Sequence, residues 1–210
     1  MYLVKEGEEM FISFEGIDKS GKTTQATLLA KYLKDKGHPV VFTLEPGGTY
    51  LGEKIKELIL HTPKGKIKGI DELFLYLTDR YQHVKEVIEP SLKKGKLVIS
   101  DRYSDATIAY QGYGRGLDIR WIENLNKKVT GGLLPDITFL LDIDPKVMSK
   151  RGKAEDRIEK EDFPFYTKVR QGYLQIAKSF PERVKLLNGE KDPQQISLEI
   201  RKILNKKLGE

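Results

Sequence analysis

The sequence lacks the residue types that several classes of site require. It contains no cysteine, which excludes disulfides and cysteine-ligated zinc sites. Its three histidines, His38, His61 and His83, are scattered without the spacing of metal ligands. No apolar run approaches the roughly 18 residues that a membrane-spanning helix needs, and the acidic first stretch, MYLVKEGEEM, lacks the apolar centre of a signal peptide. We therefore expect a cytoplasmic protein without a membrane partner.

Basic and acidic residues are both spread along the chain. The 210 residues include 37 Lys and Arg against 31 Asp and Glu, a net charge of +6, and the two signs are interspersed. The aromatic motif of RNA-binding domains does not occur. A protein that handles phosphorylated small molecules has use for a similar excess of cations. We therefore expect small-molecule substrates and no nucleic-acid partner.

Short apolar runs alternate with helical patterns along the chain. Five runs are predicted to be buried strands: residues 10–16, 40–45, 96–101, 136–142 and 183–188. The longest helical pattern covers about residues 70–90, with an apolar stripe formed by Ile70, Leu73, Phe74, Leu77, Tyr81, Val84 and Ile88. Shorter helices are predicted after Gly21, Thr49, Asp118, Pro145, Glu159 and Asp192. This alternation predicts a parallel sheet with helices on both faces. Since no linker or repeat interrupts the pattern, we expect residues 1–210 to form one α/β domain.

The segment GIDKSGKT, residues 16–23, matches the phosphate-loop pattern in full, after a predicted strand and before a predicted helix. Its backbone N–H groups and the helix N-terminus can hold a phosphate. Lys22 can reach the β- and γ-phosphates of a nucleotide, and the Thr23 hydroxyl can ligate Mg²⁺. A glycine-rich turn that only starts a helix is the alternative. The residues expected to contact ATP are Gly16, Ile17, Asp18, Lys19, Ser20, Gly21, Lys22, Thr23 and Thr24.

Other motifs narrow the class of nucleotide-binding protein. A GTPase should carry N-K-x-D, and the nearest string is NKKV at residues 126–129. Motors and helicases are normally longer, and the loop lacks the second glycine of adenylate kinases. A small kinase with an acceptor site on the same domain remains. An ATP-dependent switch is the alternative from a different class.

The acceptor site is predicted at the end of the strand LVISD. Asp101 stands at the carboxyl end of this strand, where open sheets bind ligands, and can hold the magnesium shell. The adjacent Arg102 can bind an acceptor phosphate through its planar guanidinium. A surface Asp–Arg pair is the alternative.

A nucleobase pocket is predicted on the long helix. Tyr76 and Arg80, four residues apart, share a face of this helix. A ring that stacks on a base beside a guanidinium that donates to its carbonyls would form such a pocket, although the same pair is common in surface packing. Residues 109–116, AYQGYGRG, are predicted to be a glycine-rich loop that adds aromatic and amide groups.

Taken together, these segments resemble the thymidylate kinase family. The resemblance rests on five stretches in order: FEGIDKSGKTTQ, EPGGTYLGEKI, SDRYSDATIAYQGYGRG, PDITFLLD and DRIEKEDFPFYTKVRQGY. It implies a three-layer fold of the phosphate-loop NTPase type, with a five-stranded parallel sheet and a short lid. It also implies transfer of the γ-phosphoryl group of ATP to dTMP with Mg²⁺, in a homodimer. Another nucleoside or deoxynucleoside monophosphate kinase is the nearest alternative.

The resemblance also implies roles for individual residues. Asp18 would lie near the 3′-hydroxyl of the acceptor and the reacting phosphates, and Tyr110 would crowd the 2′-position so that ribose is disfavoured. Tyr76 would stack on thymine and Arg80 would donate to a thymine carbonyl. The residues implied around dTMP are Asp18, Tyr76, Arg80, Arg102, Thr107, Tyr110 and Gln111, and those implied around Mg²⁺ are Thr23 and Asp101.

A lid over ATP is expected at about residues 146–160, a basic segment. Phosphoryl transfer benefits from a cation near the transferred group, which the lid arginines Arg151 and Arg157 or the loop residue Lys19 can supply. We expect the lid to dominate, because the point charge of a lysine imitates an arginine imperfectly. The residues expected to act in catalysis are Asp18, Lys19, Lys22, Arg102, Arg151 and Arg157.

The sequence departs from the family pattern at several positions. Leu44 stands before EPGG where many relatives have arginine, so a phosphate contact from there is lost or moved. Ala106 replaces a frequent serine, Lys19 replaces an arginine or a small residue, and the lid is short. Trp121 fits the core or a contact surface equally well, so the expected homodimer rests on the resemblance.

Overall fold

The structure, a computed structural model, describes residues 9–209. Most of the N-terminal stretch that we predict not to be a signal peptide lies outside these residues. Within them, five parallel strands form one sheet in the order β2–β3–β1–β4–β5. The strands are β1 Met10–Glu15, β2 Val40–Leu44, β3 Leu97–Asp101, β4 Ile137–Asp142 and β5 Val184–Asn188. The five predicted strands are confirmed to within one residue at each end.

Helices connect these strands. Over residues 9–209 they are α1 Lys22–Asp35, α2 Tyr50–His61, α3 Gly69–His83, α4 Glu89–Leu92, α5 Ser104–Thr107, α6 Ile119–Thr130, α7 Pro145–Met148, α8 Phe163–Ser179 and α9 Pro193–Leu208. Three of the predicted starts are marked by side-chain caps, at Thr49, Asp118 and Asp192. Over the same described range, no helix combines the length and the apolar character needed to cross a membrane.

The helices cover both faces of the sheet, as predicted. Alternate residues of a strand point to opposite faces. Ile12 and Phe14 of β1 therefore share a core with Leu29 of α1 and Ile200 of α9, whereas Phe11 packs on the other face, against the segment that follows α3. The result is a three-layer arrangement, helix on sheet on helix.

Strand register brings the functional segments together. Phe14 of β1 and Leu44 of β2 both lie opposite Asp101 of β3. Because the strands are parallel, the chain leaves all three strands at the same edge of the sheet. The phosphate loop, the segment after β2 and Arg102 therefore start side by side.

The apolar stripe of α3 is narrower than predicted. Leu73 and Leu77 are buried, but Ile70, Phe74 and Tyr81 are 43%, 49% and 50% exposed. At about 100° per residue these three lie to one side of the buried row, and it is the buried row that packs against Ile122 of α6. The helix also changes to a π-helical segment at Val84–Ile88 before α4.

Two further local predictions are wrong. Residues 109–116 are not a loop, because most of them belong to the π-helical segment Ile108–Gly114 that continues α5. The glycines there serve close packing: a Cβ on Gly114 would lie 2.7 Å from the Phe165 ring of α8. The helix expected after Glu159 begins only at Phe163, and the Asp162 side chain is its N-cap.

Candidate active site

The phosphate loop connects β1 to α1. Gly16 has a φ of 142°, and a Cβ there would lie 2.5 Å from the carbonyl oxygen of Leu141, so the position requires glycine. Gly21, with a φ of 95°, immediately precedes Lys22, the first residue of α1. The N-terminus of α1 therefore faces the space in front of the loop, an arrangement that favours phosphate.

Two cavities open on either side of this loop. The donor cavity is lined by loop residues 19–24 and by Arg151, among others. The walls of the acceptor cavity include Asp18, Tyr76, Arg102, Thr107, Tyr110 and Gln111. Lys22 and Thr23 line both cavities, so the two cavities meet at these residues.

The predicted ATP contacts divide between the two cavities. Residues 19–24 lie at the donor cavity, as expected, whereas Asp18 lines the acceptor cavity. The Ile17 side chain is 2% exposed and packs in the core. Ile17 can therefore contact a nucleotide only through its backbone.

Asp18 is the centre of the polar network between the cavities. Its carboxylate pairs with Arg102 and lies 3.7 Å from the Lys22 ammonium. It also accepts hydrogen bonds from the hydroxyls of Tyr110 at 3.0 Å and Tyr166 at 2.8 Å. Burial raises the pKa of Asp18, but Arg102 and Lys22 outweigh it and lower the pKa to about 2. Asp18 is therefore ionised over the whole neutral range.

Lys22 is a cation held in an unfavourable environment. Burial lowers its pKa, and the nearby Arg102 guanidinium lowers it further. Asp18 compensates only in part. A phosphate group placed beside Lys22 would supply the missing negative charge.

Arg102 ties the end of β3 to the phosphate loop. Its Nη1 donates to the Gly16 carbonyl at 2.9 Å and to the Tyr173 hydroxyl at 3.1 Å. Its Nη2 donates to Asp18 and, at 3.1 Å, to the Tyr110 hydroxyl. The backbone of Arg102 has a φ of 74°, in the left-handed region that non-glycine residues rarely adopt. The predicted acceptor-phosphate cation is thus held in a constrained conformation at the acceptor cavity.

The wall of the acceptor cavity includes the positions where the sequence departs from the family pattern. Leu44 and Ala106 both line it, next to the predicted base-binding Tyr76. Leu44 makes that part of the wall apolar, and Lys56 of α2 is a cationic residue on the same wall.

The structure corrects the prediction for Arg80. This side chain is 1% exposed, and its five N–H donors all bond within the protein. Nε and Nη2 donate to Glu45 at 2.9 and 2.8 Å. Nη1 donates to Thr107 at 2.6 Å and to Asn126 at 2.8 Å, and Nη2 also donates to the carbonyl of Tyr103 at 3.1 Å. No donor is left for a thymine carbonyl. Arg80 instead acts on the acceptor cavity through Thr107, which lines it.

Oxygen ligands suited to Mg²⁺ occur where the cavities meet. The Thr23 hydroxyl donates to Oδ2 of Asp101, and Oδ1 of Asp101 is buried without a hydrogen-bond partner among residues 9–209. Over the same residues, no group of three or more His, Cys, Asp or Glu could hold a metal by itself. This donor set fits Mg²⁺, which takes oxygen ligands and typically keeps waters and phosphate oxygens in its shell.

The lid region contacts the loop from both sides. The Lys19 ammonium donates to the carbonyls of Gly152 at 3.0 Å and Lys153 at 2.5 Å, and lies 3.2 Å from Glu159. In return, Arg151 donates to the carbonyl of Lys19 at 3.1 Å. Among the described residues Arg151 has no carboxylate partner, whereas the charge of Lys19 is balanced by Glu159.

Arg157 is not a free lid cation, contrary to expectation. It is 7% exposed, and its guanidinium donates to the Ile59 carbonyl at 2.9 Å and to Glu72 at 2.7 Å. Glu72 also pairs with Arg115 and accepts from the Gln111 amide at 2.7 Å. Arg157 therefore supports the wall of the acceptor cavity and does not face the donor cavity.

Sequence reasoning missed two tyrosines of the site. Tyr166 and Tyr173 of α8 bond to Asp18 and Arg102. They are seven residues apart and so lie on one face of the helix. That spacing was the available signal, but paired tyrosines on a helix also occur in ordinary cores.

Comparison with known proteins identifies the relatives of this chain. The sequence model of the family described as thymidylate kinase matches residues 14–200. The chain is 45% identical over 202 residues to the thymidylate kinase of Maridesulfovibrio salexigens, covering 91% of this chain and 93% of that protein. It is 46% identical over 206 residues to the thymidylate kinase of Kosmotoga olearia, covering 95% and 99%.

A solved structure extends the similarity to the fold. The crystal structure of thymidylate kinase from Ehrlichia chaffeensis superimposes with a TM-score of 0.78 at 40% sequence identity, covering 94% of this chain and 98% of that chain. Sequence and fold therefore both match the same family. The chain belongs to the thymidylate kinase family.

Proposed function

We propose that this protein transfers the γ-phosphoryl group of ATP to dTMP, giving dTDP and ADP for dTTP synthesis. The observation that carries the proposal is the meeting of the donor and acceptor cavities at Lys22 and Thr23. Phosphoryl transfer needs the attacking and leaving oxygens roughly in line across the transferred group. A switch that only binds ATP has no use for a second cavity at its phosphate-binding residues.

The acceptor cavity suits a thymidine nucleotide. The Tyr76 ring on its wall offers a surface for stacking on a base. The Tyr110 ring, held by the bonds of its hydroxyl to Asp18 and Arg102, would crowd the 2′-position of the sugar and so disfavour a ribose. The Gln111 side chain is on the same wall, oriented by its bond to Glu72.

The charges at the junction suit phosphoryl transfer. Lys22 and Arg102 place positive charge where phosphate oxygens of donor and acceptor would lie, which stabilises charge that develops on them. The ionised Asp18 can accept a hydrogen bond from the 3′-hydroxyl of dTMP and keeps both cations oriented. Mg²⁺, when bound by Thr23 and Asp101, would neutralise negative charge on the phosphate oxygens of ATP.

Release of ADP with a panel of acceptors tests the proposal. With ATP and Mg²⁺ present, turnover should be fastest with dTMP, slower with dUMP, and slow with UMP and AMP. Lys22→Ala should lose activity with every acceptor while remaining folded. Faster turnover with AMP or UMP would indicate another monophosphate kinase, and ATP hydrolysis independent of any acceptor would indicate a switch.

We also propose a homodimer, as the family resemblance implies. An apolar patch on α3 and α6 supports it: Ile70, Phe74, Tyr81 and Trp121 are 37–50% exposed, and the rings of Phe74 and Trp121 pack edge to face with centroids 5.9 Å apart. Sedimentation should give twice the chain mass, and Phe74→Glu should give the monomer. A monomeric wild-type protein at micromolar concentration would refute the dimer.

The remaining predictions concern the whole chain. We propose that residues 1–210 behave as one domain in the cytoplasm. The single five-stranded sheet, with buried apolar clusters on both of its faces, supports the first statement. A single calorimetric transition tests the first, and fractionation of the source cells tests the second.

A further inference from the structure

Glu15 is a buried carboxyl group that the reaction does not directly use. It is the last residue of β1, directly before the phosphate loop, and is 1% exposed. Among the described residues it has no ion pair with Lys or Arg within 4 Å. It does not line either cavity at the loop. Burying a carboxyl group without a salt bridge costs folding free energy. The hydrogen bonds that Glu15 makes therefore indicate its role.

One bond of Glu15 holds the strained backbone at Arg102. Oε1 accepts the N–H of Tyr103 at 2.8 Å, the peptide group that follows the left-handed Arg102. Such a conformation persists only when the surroundings hold it, because it costs on the order of 1 kcal/mol or more. Glu15 thus fixes the turn from which the Arg102 side chain starts.

The other bond of Glu15 reaches the Arg102 guanidinium through one residue. Oε2 accepts the hydroxyl of Tyr173 at 2.8 Å, and the same hydroxyl accepts from Nη1 of Arg102 at 3.1 Å. A tyrosine hydroxyl has a single proton. Since that proton points to Glu15, the oxygen lone pairs are left for Arg102.

We infer that Glu15 is a positioning residue that sets both the backbone and the guanidinium of Arg102 for the acceptor phosphate. The inference rests on the proposed function, in which Arg102 binds that phosphate. Glu15 contacts no substrate; its effect passes through the Tyr103 peptide group and the Tyr173 hydroxyl.

The test compares the binding of dTMP with that of thymidine, which lacks the phosphate. The ratio of the two dissociation constants measures what the phosphate contributes to affinity. Glu15→Met matches the side chain in length but removes both acceptors, and should lower this ratio by roughly tenfold, as expected when the displaced Arg102 guanidinium loses one hydrogen bond to the charged phosphate. The affinity for thymidine and the KM for ATP should change by less than about twofold.

Two further variants act as controls. Burial, followed by the Asp105 carboxylate, raises the pKa of Glu15 to about 8, so the neutral amide of Glu15→Gln is the conservative replacement. It keeps an acceptor for the Tyr103 N–H and should restore most of the ratio. Tyr173→Phe removes only the hydroxyl between Glu15 and Arg102 and should lower the ratio partway, which keeps the inference testable if Glu15→Met does not fold.

The double variant Glu15→Met with Arg102→Ala separates the possible outcomes. If Glu15 acts through Arg102, the double variant should have the same ratio as Arg102→Ala alone. Full additivity, or an equal loss of thymidine affinity, would overturn the inference. If Arg102→Ala itself leaves the ratio unchanged, the proposed phosphate-binding role of Arg102 fails instead.

Discussion

Tyr110 combines two roles in one side chain. Its ring lines the acceptor cavity, while its hydroxyl donates to Asp18 at 3.0 Å and accepts from Arg102 at 3.1 Å. The ring can exclude a ribose by its bulk, and the hydroxyl keeps the charged pair oriented. These two roles can be separated by substitution.

We predict different outcomes for Tyr110→Phe and Tyr110→Ala. Tyr110→Phe should keep the preference for dTMP over UMP and lower kcat by less than about tenfold, since one hydrogen-bonding group is lost. Tyr110→Ala should admit UMP because the ring is gone. The measurement is kcat/KM for dTMP and UMP in both variants. An unchanged preference in the alanine variant would remove Tyr110 from the sugar site.

Arg80 illustrates at the residue scale what sequence alone does not contain. Its spacing from Tyr76 correctly places it on α3, but the carboxylate that accepts its hydrogen bond, Glu45, lies 35 positions away in the chain. An arginine on a helix is usually exposed. Its partners come together only when the segment after β2, residues 103–107 and α6 all pack against α3.

At the scale of elements, strands were predictable and local helix type was not. The central strand β1 has all six residues buried, so apolar residues fill most of its positions on both faces and it differs from a half-exposed strand. The π-helical segment Ile108–Gly114 depends on a hydrogen-bond pattern with no distinct sequence period. Its glycines resembled a loop because their role is tertiary: Gly112 allows close contact with α6 and Gly114 with α8.

The lid gives an element-scale prediction about the catalytic cation. Arg151 lines the donor cavity without a carboxylate partner in the described chain, whereas Lys19 is balanced by Glu159 at 3.2 Å. Arg151→Ala should therefore lower kcat by roughly 10²-fold or more, and Lys19→Ala should lower it less. The KM for dTMP should change little in both. Lys150→Ala, which removes an exposed lid cation, is the matched control and should be near wild type.

The outcome for Lys19 decides between two accounts of the phosphate loop. A larger loss of kcat from Lys19→Ala than from Arg151→Ala would make the loop lysine the principal cation. Arg157 belongs to neither account, because it is buried against Glu72. Arg157→Ala should instead lower the melting temperature by an amount worth about 1–3 kcal/mol, since Glu72 loses one charged partner but keeps Arg115 and Gln111.

At the scale of the whole molecule, stability should depend on pH through Asp79 of α3. Oδ1 of this buried carboxyl accepts the Gly47 N–H at 3.0 Å, and Oδ2 has no partner among residues 9–209. Burial, and then the Glu45 carboxylate, raise the pKa of Asp79 to about 7, although His83 and Arg80 oppose the shift. The folded state thus keeps a proton that the unfolded chain loses near its ordinary pKa of 3.8.

The sign of the effect follows from this difference in bound protons. The free energy of unfolding should fall as pH rises from about 4 to about 7, because the folded state binds more protons in that interval. Asp79→Asn cannot ionise, so it should not lose this stability. The difference in melting temperature, variant minus wild type, should therefore increase from about pH 5 to about pH 8, by an amount worth about 1–4 kcal/mol. Asp35→Asn, at an exposed position, is the control. A difference that stays constant with pH would contradict the role of Asp79.

One site holds ATP and dTMP so that the phosphoryl group passes directly between them. Incubation with ATP labelled at the γ-phosphate, dTMP and Mg²⁺, followed by separation of the nucleotides, tests this direct transfer. The label should appear in dTDP in equal amount to the ADP formed, and Lys22→Ala should form neither product. Label found in inorganic phosphate, with dTMP unchanged, would contradict it.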